Sequence, residues 1–210
     1  VVAGDLVSQW RRGLGVDTPN RFLLNIQPEQ VEPLRSELTR IGVPNPDFYP
    51  FAVGRLVAVN GEPATAERYP DPRAARFLDG NLNLSWSERL PQANQIVAGQ
   101  WWGERDDVSI AESWAQTFGL NVGDRVTIRV GEREIEARIS SVRKVDWDSF
   151  RVNFFLRYKP QTVGGLESTW VTSVRADAAQ GRQLGPMLRQ YPNVTLIDVE
   201  ALLTRILGVV

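Results

Sequence analysis

Hydrophobic and polar positions along this chain change period several times, and the changes outline its elements. Residues 21–27 (RFLLNIQ) form an apolar run that reads as a strand. Pro28 then opens a helix with Val31, Leu34, Leu38 and Ile41 on one face, and Gly42 ends it. Residues 48–61 (FYPFAVGRLVAVNG) make a second strand that finishes in Asn60-Gly61, a strong hairpin signal. The same β-α-β order returns near the far end. Residues 169–176 (TWVTSVRA) read as a strand, Asp177 caps a helix with Leu184, Leu188 and Tyr191 on one side, and residues 193–198 (NVTLID) are a strand again. Gly181, Gly185 and Pro186 weaken that second helix. Two βαβ units in this order are what a ferredoxin-like split βαβ domain requires.

The stretch between them is mostly β. Residues 81–86 (NLNLSW) and 94–102 (NQIVAGQWW) read as strands. Ser109 and Glu112 have the spacing of a capping box for a short helix in which Ile110, Trp114 and Phe118 align, ending at Gly119. Residues 124–142 alternate on either side of Gly131-Glu132, as a hairpin does. Residues 150–159 alternate too: Phe150, Val152, Phe154, Leu156 and Tyr158 fall on one strand face, and Arg151, Asn153, Arg157 and Lys159 on the other. The expected fold is α+β. A ferredoxin-like split βαβ module (1–61 plus 169–210) is interrupted by a small β-rich, barrel-like module (62–168).

The ends point to a piece of a longer polypeptide. The chain opens VVAGDLVSQW without an initiator Met and closes DVEALLTRILGVV. Asp198 can cap a last helix that Val199, Leu202, Leu203, Ile206 and Leu207 nearly encircle. Two readings stand side by side, a core helix and a helix that runs on into a membrane span. The stretch itself is shorter than the ~20 apolar residues a span needs, and neither end has the form of a signal peptide.

Composition removes whole classes of chemistry. Histidine and cysteine are both absent, which excludes imidazole bases, thiolate nucleophiles, disulfides, Cys/His zinc sites and the serine–histidine–carboxylate triad. Absence of thiols suits an oxidising compartment. Basic and acidic residues number 24 and 25, so no net field gathers nucleic acid or an anionic membrane. Gly-rich phosphate loops and G-x-S-x-G are missing. No cofactor is expected.

Chemistry-bearing residues concentrate in 142–158 (VRKVDWDSFRVNFFLRY). Asp146 and Asp148 have the spacing of a D-x-D cation site, yet Arg143, Lys144 and Arg151 compete for them and no third oxygen donor is in view. Structural ion pairs among Arg143, Asp146, Asp148 and Arg151 are therefore expected, with no metal and no catalytic role. Trp147, Phe150, Phe154 and Phe155 are core or interface. In residues 100–104 (QWWGE), Trp101 and Trp102 face opposite ways if the segment is extended, so one of them is left for an edge position or for a lipid, a peptide or a neighbouring domain.

The runs NLNLSWSERLPQANQIVAGQWW and VSIAESWAQTFGLNVGDRVTIRVGEREIEARISSVRKVDWDSFRVNFF resemble the periplasmic domain of ABC-transporter permeases of the MacB/FtsX/LolC type, in particular the YbbP-like permeases linked with lysophospholipase L1. The resemblance extends to DTPNRFLLNIQP and YPNVTLIDVEALL. It implies a porter module interrupted by a small β-rich module on the periplasmic side of the bacterial inner membrane. It also implies a non-enzymatic role, coupling cytoplasmic ATP hydrolysis in a separate ABC ATPase subunit to extraction or transfer of lipids or other hydrophobic compounds. Implied partners are the rest of the permease membrane domain, a periplasmic lysophospholipase or thioesterase, and hydrophobic cargo. Trp101, Trp102, Trp147, Phe150, Phe154 and Phe155 are the candidate cargo or partner surface, and helix ends near residues 5 and 205 would carry the motion. The competing expectation is a carboxylate-dependent, glycosidase-like hydrolase, which needs no histidine but does need two carboxylates about 5 to 10 Å apart.

Overall fold

The computed structural model describes residues 17–44, 46–103 and 106–207. The opening decapeptide and the expected helix end near residue 5 lie outside the described residues, as do the side chains of Leu203, Ile206 and Leu207. In chain order the elements are β1 (Arg21–Ile26), α1 (Val31–Arg40), β2 (Phe48–Val59), β3 (Glu62–Pro63), α2 (Arg73–Asp79), β4 (Leu82–Trp86), β5 (Asn94–Gly99) and β6 (Asp107–Ala111). There follow α3 (Glu112–Phe118), β7 (Arg125–Val130), β8 (Arg133–Val145), β9 (Leu156–Tyr158), β10 (Thr169–Val174), α4 (Ala178–Leu188), β11 (Thr195–Asp198) and α5 (Val199–Leu207). The protein is mixed α/β, and it divides into two compact units: Val1–Tyr49, Asp148–Val152 and Thr169–Val210 in one, Pro50–Trp147 and Asn153–Ser168 in the other.

In the first unit β1 lies between β10 and β11 and is antiparallel to both. The helical spacing seen in the sequence is realised: Val31, Leu34 and Leu38 of α1 are buried, and Gly42 closes the helix at φ 90°, a conformation glycine adopts without steric cost. Leu184, Met187 and Leu188 of α4 enter the same core. That helix forms despite two glycines and Pro186 because its start is fixed: Asp177 Oδ1 accepts from the Gln180 amide at 2.8 Å, and Gln180 Oε1 accepts from the Asp177 amide at 3.0 Å. Burial of each leucine adds about 1.5–3 kcal/mol. Asn20, which the pattern did not single out, is buried and acts as a strand mimic. Its side chain donates to Ala176 O at 2.8 Å and accepts from Ala176 N at 2.9 Å, while its carbonyl accepts from Val199 N where α5 begins. Asp198 caps α5 through the Ala201 amide, as expected. Among the described residues no helix is long and apolar enough to cross a membrane.

The second unit is a closed, barrel-like ring of six strands. Going round it, β2 pairs with β4, β4 with β9, β9 with β6, β6 with β8, β8 with β7, and β7 with β2. Two of the six pairings, β4 with β9 and β6 with β8, are parallel. Closure leaves no unpaired edge within the ring. Beyond the stretch of β8 that β7 covers, β5 adds to the same strand. Trp114, Ala115 and Phe118 of α3 fill the core together with Leu84, Ile110, Ile128 and Leu156. Strand β2 serves both cores: Phe48 belongs to that of the first unit, Ala52 and Leu56 to that of the barrel. Gly54 permits close approach to β7, since a Cβ there would sit 2.9 Å from Arg129 O.

Two local expectations fail. Ser109 is not a helix cap: it lies inside β6, and the residue before α3 is Ala111. The apolar spacing of Ile110, Trp114 and Phe118 spans a strand end and a helix, so one period cannot describe it. Residues 150–158 are not one strand. A 3-10 turn occupies Trp147–Ser149, Phe150 has φ 56°, and regular pairing resumes only at Leu156. Leu156, Arg157 and Tyr158 are all buried, which overrides the two-faced reading of that run.

Candidate functional site: a buried guanidinium and an indole pair

Arg143, near the end of β8, is fully buried. Its guanidinium meets neutral acceptors. Nε donates to Ser109 Oγ at 2.9 Å and Nη1 to Asn94 Oδ1 at 2.6 Å, while Nη2 reaches the carbonyls of Ser109, Phe154 and Phe155 at 3.2, 3.1 and 3.0 Å. Ser141 Oγ donates to Ser109 Oγ at 2.6 Å and completes the cluster. One side chain thus joins β5, β6, β8 and the segment leading into β9. Burial, and then the like charge of Arg157, pull the Arg143 guanidinium down to about 9. Arg157 is buried as well, with its guanidinium carbon 5.1 Å from the centre of the Phe154 ring. Asp146 follows β8 with its amide donating to Ala93 O at 2.9 Å; Asp146 and Asp148 are exposed, and Arg151 is half-buried.

The indoles are arranged otherwise than an extended segment requires. Strand β5 stops at Gly99, and Trp101 and Trp102 stack with ring centres 4.1 Å apart. Trp101 Nε1 donates to Glu88 O at 3.0 Å and Trp102 Nε1 to Ser87 O at 3.3 Å. The backbone beneath is fixed at three points. Ser140 Oγ donates to Trp101 O, the Gly103 amide donates to Asp107 Oδ2 at 2.6 Å, and Lys159 Nζ donates to Gly103 O at 2.9 Å. Asp107 is fully buried, with Arg138 Nε 3.5 Å from its other oxygen. A Cβ at residue 103 would sit 2.9 Å from Asp107 Oδ2, so glycine is what lets this amide approach the carboxylate.

The expected surface residues therefore separate. Trp101 and Trp102 sit at the Asp107 end of β6. Phe155, whose carbonyl accepts from Ala111 N, sits at the other end, about 13 Å away at ~3.3 Å per residue. Trp147 packs on Phe155 with ring centres 4.9 Å apart and is 45% exposed. Phe154 is buried beside Phe51, and Phe150 falls in the segment counted with the first unit. Among the described residues no group of three or more acidic side chains is placed to hold a metal ion. Asp107 and Asn94, central to these clusters, carried no sequence signal; the phase of β6 beside β8 decides their placement.

The Asp107 clamp has a measurable consequence. Asp107→Ala removes the acceptor of the Gly103 amide and the carboxyl beside Arg138, a loss of about 2 kcal/mol. An unfolding midpoint lower by roughly 6 °C is expected, together with stronger acrylamide quenching of tryptophan emission. Unchanged quenching would mean that the loop holds its indoles without this carboxylate.

The barrel carries a buried, hydrogen-bonded arginine and a fixed indole pair, and sequence similarity relates the chain to the permeases of ABC transporters. No family model matches the chain. A similar protein is the uncharacterized ABC transporter permease YbbP of Escherichia coli (strain K12), 35% identical over 206 residues that make up 98% of this chain. The resemblance expected from the sequence holds over nearly its whole length. The chain spans 25% of the length of that relative. Among solved structures, a domain from Porphyromonas gingivalis described as belonging to a permease protein aligns with a TM-score of 0.39 and 11% identity, over 88% of this chain and 85% of that one.

Proposed function

We propose that the chain is a non-enzymatic domain of an ABC transporter permease, standing on the periplasmic side of the bacterial inner membrane. In this reading it couples cytoplasmic ATP hydrolysis, carried out by a separate ATPase subunit, to extraction or transfer of lipids or other hydrophobic compounds. Residues 1–61 and 169–210 act as a ferredoxin-like porter module, and residues 62–168 as the β-rich module inserted into it. The strand order β11-β1-β10-β2, with β1 antiparallel to its two neighbours, supports the first assignment. Trp101, Trp102 and Trp147 serve as contact surface for cargo or for a periplasmic lysophospholipase or thioesterase, with Phe150, Phe154 and Phe155 alongside. Asp146, Asp148 and Arg151 act as structural partners. One observation carries the reading: 35% identity to an ABC permease extends over 206 residues, 98% of this chain, and so over both units.

The test uses the full-length permease with its ATPase in proteoliposomes. Deleting this domain is expected to leave ATPase binding intact and to abolish ATP-dependent delivery of a fluorescent phospholipid to an external acceptor. Delivery that survives the deletion defeats the proposal. Turnover of glycosides or lysophospholipids by the isolated chain, lost on changing one Asp or Glu, would establish the hydrolase instead.

A further inference from the structure

Strand β5 pairs on one side only, with β8, and ends the sheet path. Its other edge presents main-chain donors and acceptors that no described strand takes up. Such edges are ordinarily guarded by a charge, a proline or a covering segment, because they are templates for another strand. This one has no charged guard. From Gln92 to Gly103 the sequence QANQIVAGQWWG holds no charged residue and no proline, in a protein that is 23% Asp, Glu, Lys and Arg. Gln95, Val97, Ala98, Gly99 and Gln100 are exposed. A register slip between Ile96 and Ala98 leaves Val97 without a partner on β8, and its side chain is 47% exposed. Strand β11, which ends the path on the other side, is four residues long and closes on Asp198, a short and charged edge by contrast.

We propose that the outer edge of β5 pairs antiparallel with β5 of a second copy of this chain. The occupant follows from chemistry. Only an extended polypeptide supplies a row of N–H and C=O groups, which a lipid or small apolar molecule lacks. Antiparallel pairing of a strand with its own copy is two-fold symmetric by construction, so a charge near the middle of the run would face or flank its own image. An uncharged run is the composition that tolerates this, and Val97 adds apolar area for the pair to cover. The proposal concerns the chain by itself and does not depend on the transport reading.

The experiment is sedimentation velocity on this chain from 5 to 500 µM, with amide exchange followed on the same samples. A monomer–dimer equilibrium is expected, and the amides of Asn94–Gly99 should exchange more slowly as concentration rises. Val97→Lys and Val97→Glu, near the middle of the run and at an exposed position, should each weaken association about tenfold, and mixing the two variants should recover most of it. A monomer throughout the range overturns the proposal and leaves the edge to an extended segment of another protein. A dimer that neither charge affects, or one that leaves exchange in β5 unchanged, places the contact elsewhere and overturns it equally.

Discussion

Replacing Arg143 with methionine is expected to lower the unfolding midpoint of the protein by about 10 °C. Two effects oppose one another. Removing a buried cation returns the cost of taking it out of water, a cost visible in the fall of its ionisation to about 9 through burial and then through Arg157. Against this, the guanidinium serves five acceptors, three of them main-chain carbonyls. Of those three, the Phe155 carbonyl keeps a second donor, the Ala111 amide at 2.8 Å. A buried acceptor deprived of its donor costs about 1–3 kcal/mol. Ser109 Oγ likewise keeps the Ser141 hydroxyl; the losses at the Ser109 carbonyl, Phe154 and Asn94 sum to about 3 kcal/mol beyond what relief of the charge recovers, and at ~3 °C per kcal/mol the shift follows. Arg143→Lys keeps the charge with three donors in place of five and should also destabilise. Thermal unfolding followed by far-ultraviolet circular dichroism decides the matter. A midpoint that stays or rises with methionine would mean that desolvation outweighs the hydrogen bonds.

The same residue marks where the sequence stops being legible. Local signals served well: the face of α1, the cap of α4, the Asn60-Gly61 turn and the hairpin between β7 and β8 each depend on residues close together in the chain. Closure of the ring does not. Its parallel pairings join Leu84 to Leu156 and Val108 to Ile139, and nothing in either partner announces the other. Alternation in 150–158 misled because burial of Phe154, Leu156 and Tyr158 arises partly from irregular backbone held by Arg143, which mimics a strand period without being one. Buried Arg143, Arg157 and Asp107 are invisible for a related reason. Charge in a sequence reads as surface until the acceptors that allow burial are known. The candidate surface suffered likewise, since stacking of Trp101 on Trp102 needs the bend after Gly99, where φ is 73°.

Trp114→Ala is expected to be the costliest single truncation in the barrel, about 4 kcal/mol, whereas Trp114→Phe should cost about 1 kcal/mol. Trp114 is fully buried, and its ring centre lies 4.8 Å from that of Phe118. Phe118 in turn meets Tyr69 at 4.9 Å and Phe77 at 6.0 Å, and Phe77 meets Phe155 at 5.1 Å, so these rings form one connected group. Truncation to alanine opens a cavity at one end of the group and removes an aromatic pair worth about 0.5–1.5 kcal/mol beyond its buried area. Phenylalanine keeps the pair and most of the volume. It also gives up no hydrogen bond, because the buried indole N–H of Trp114 has no partner among the described residues. Urea unfolding of both variants, with slopes compared to confirm that the same surface is exposed, measures the two costs. Nearly equal costs would require an acceptor for that N–H, and the barrel interior would then be held by polar contact as well as by the packing of its rings.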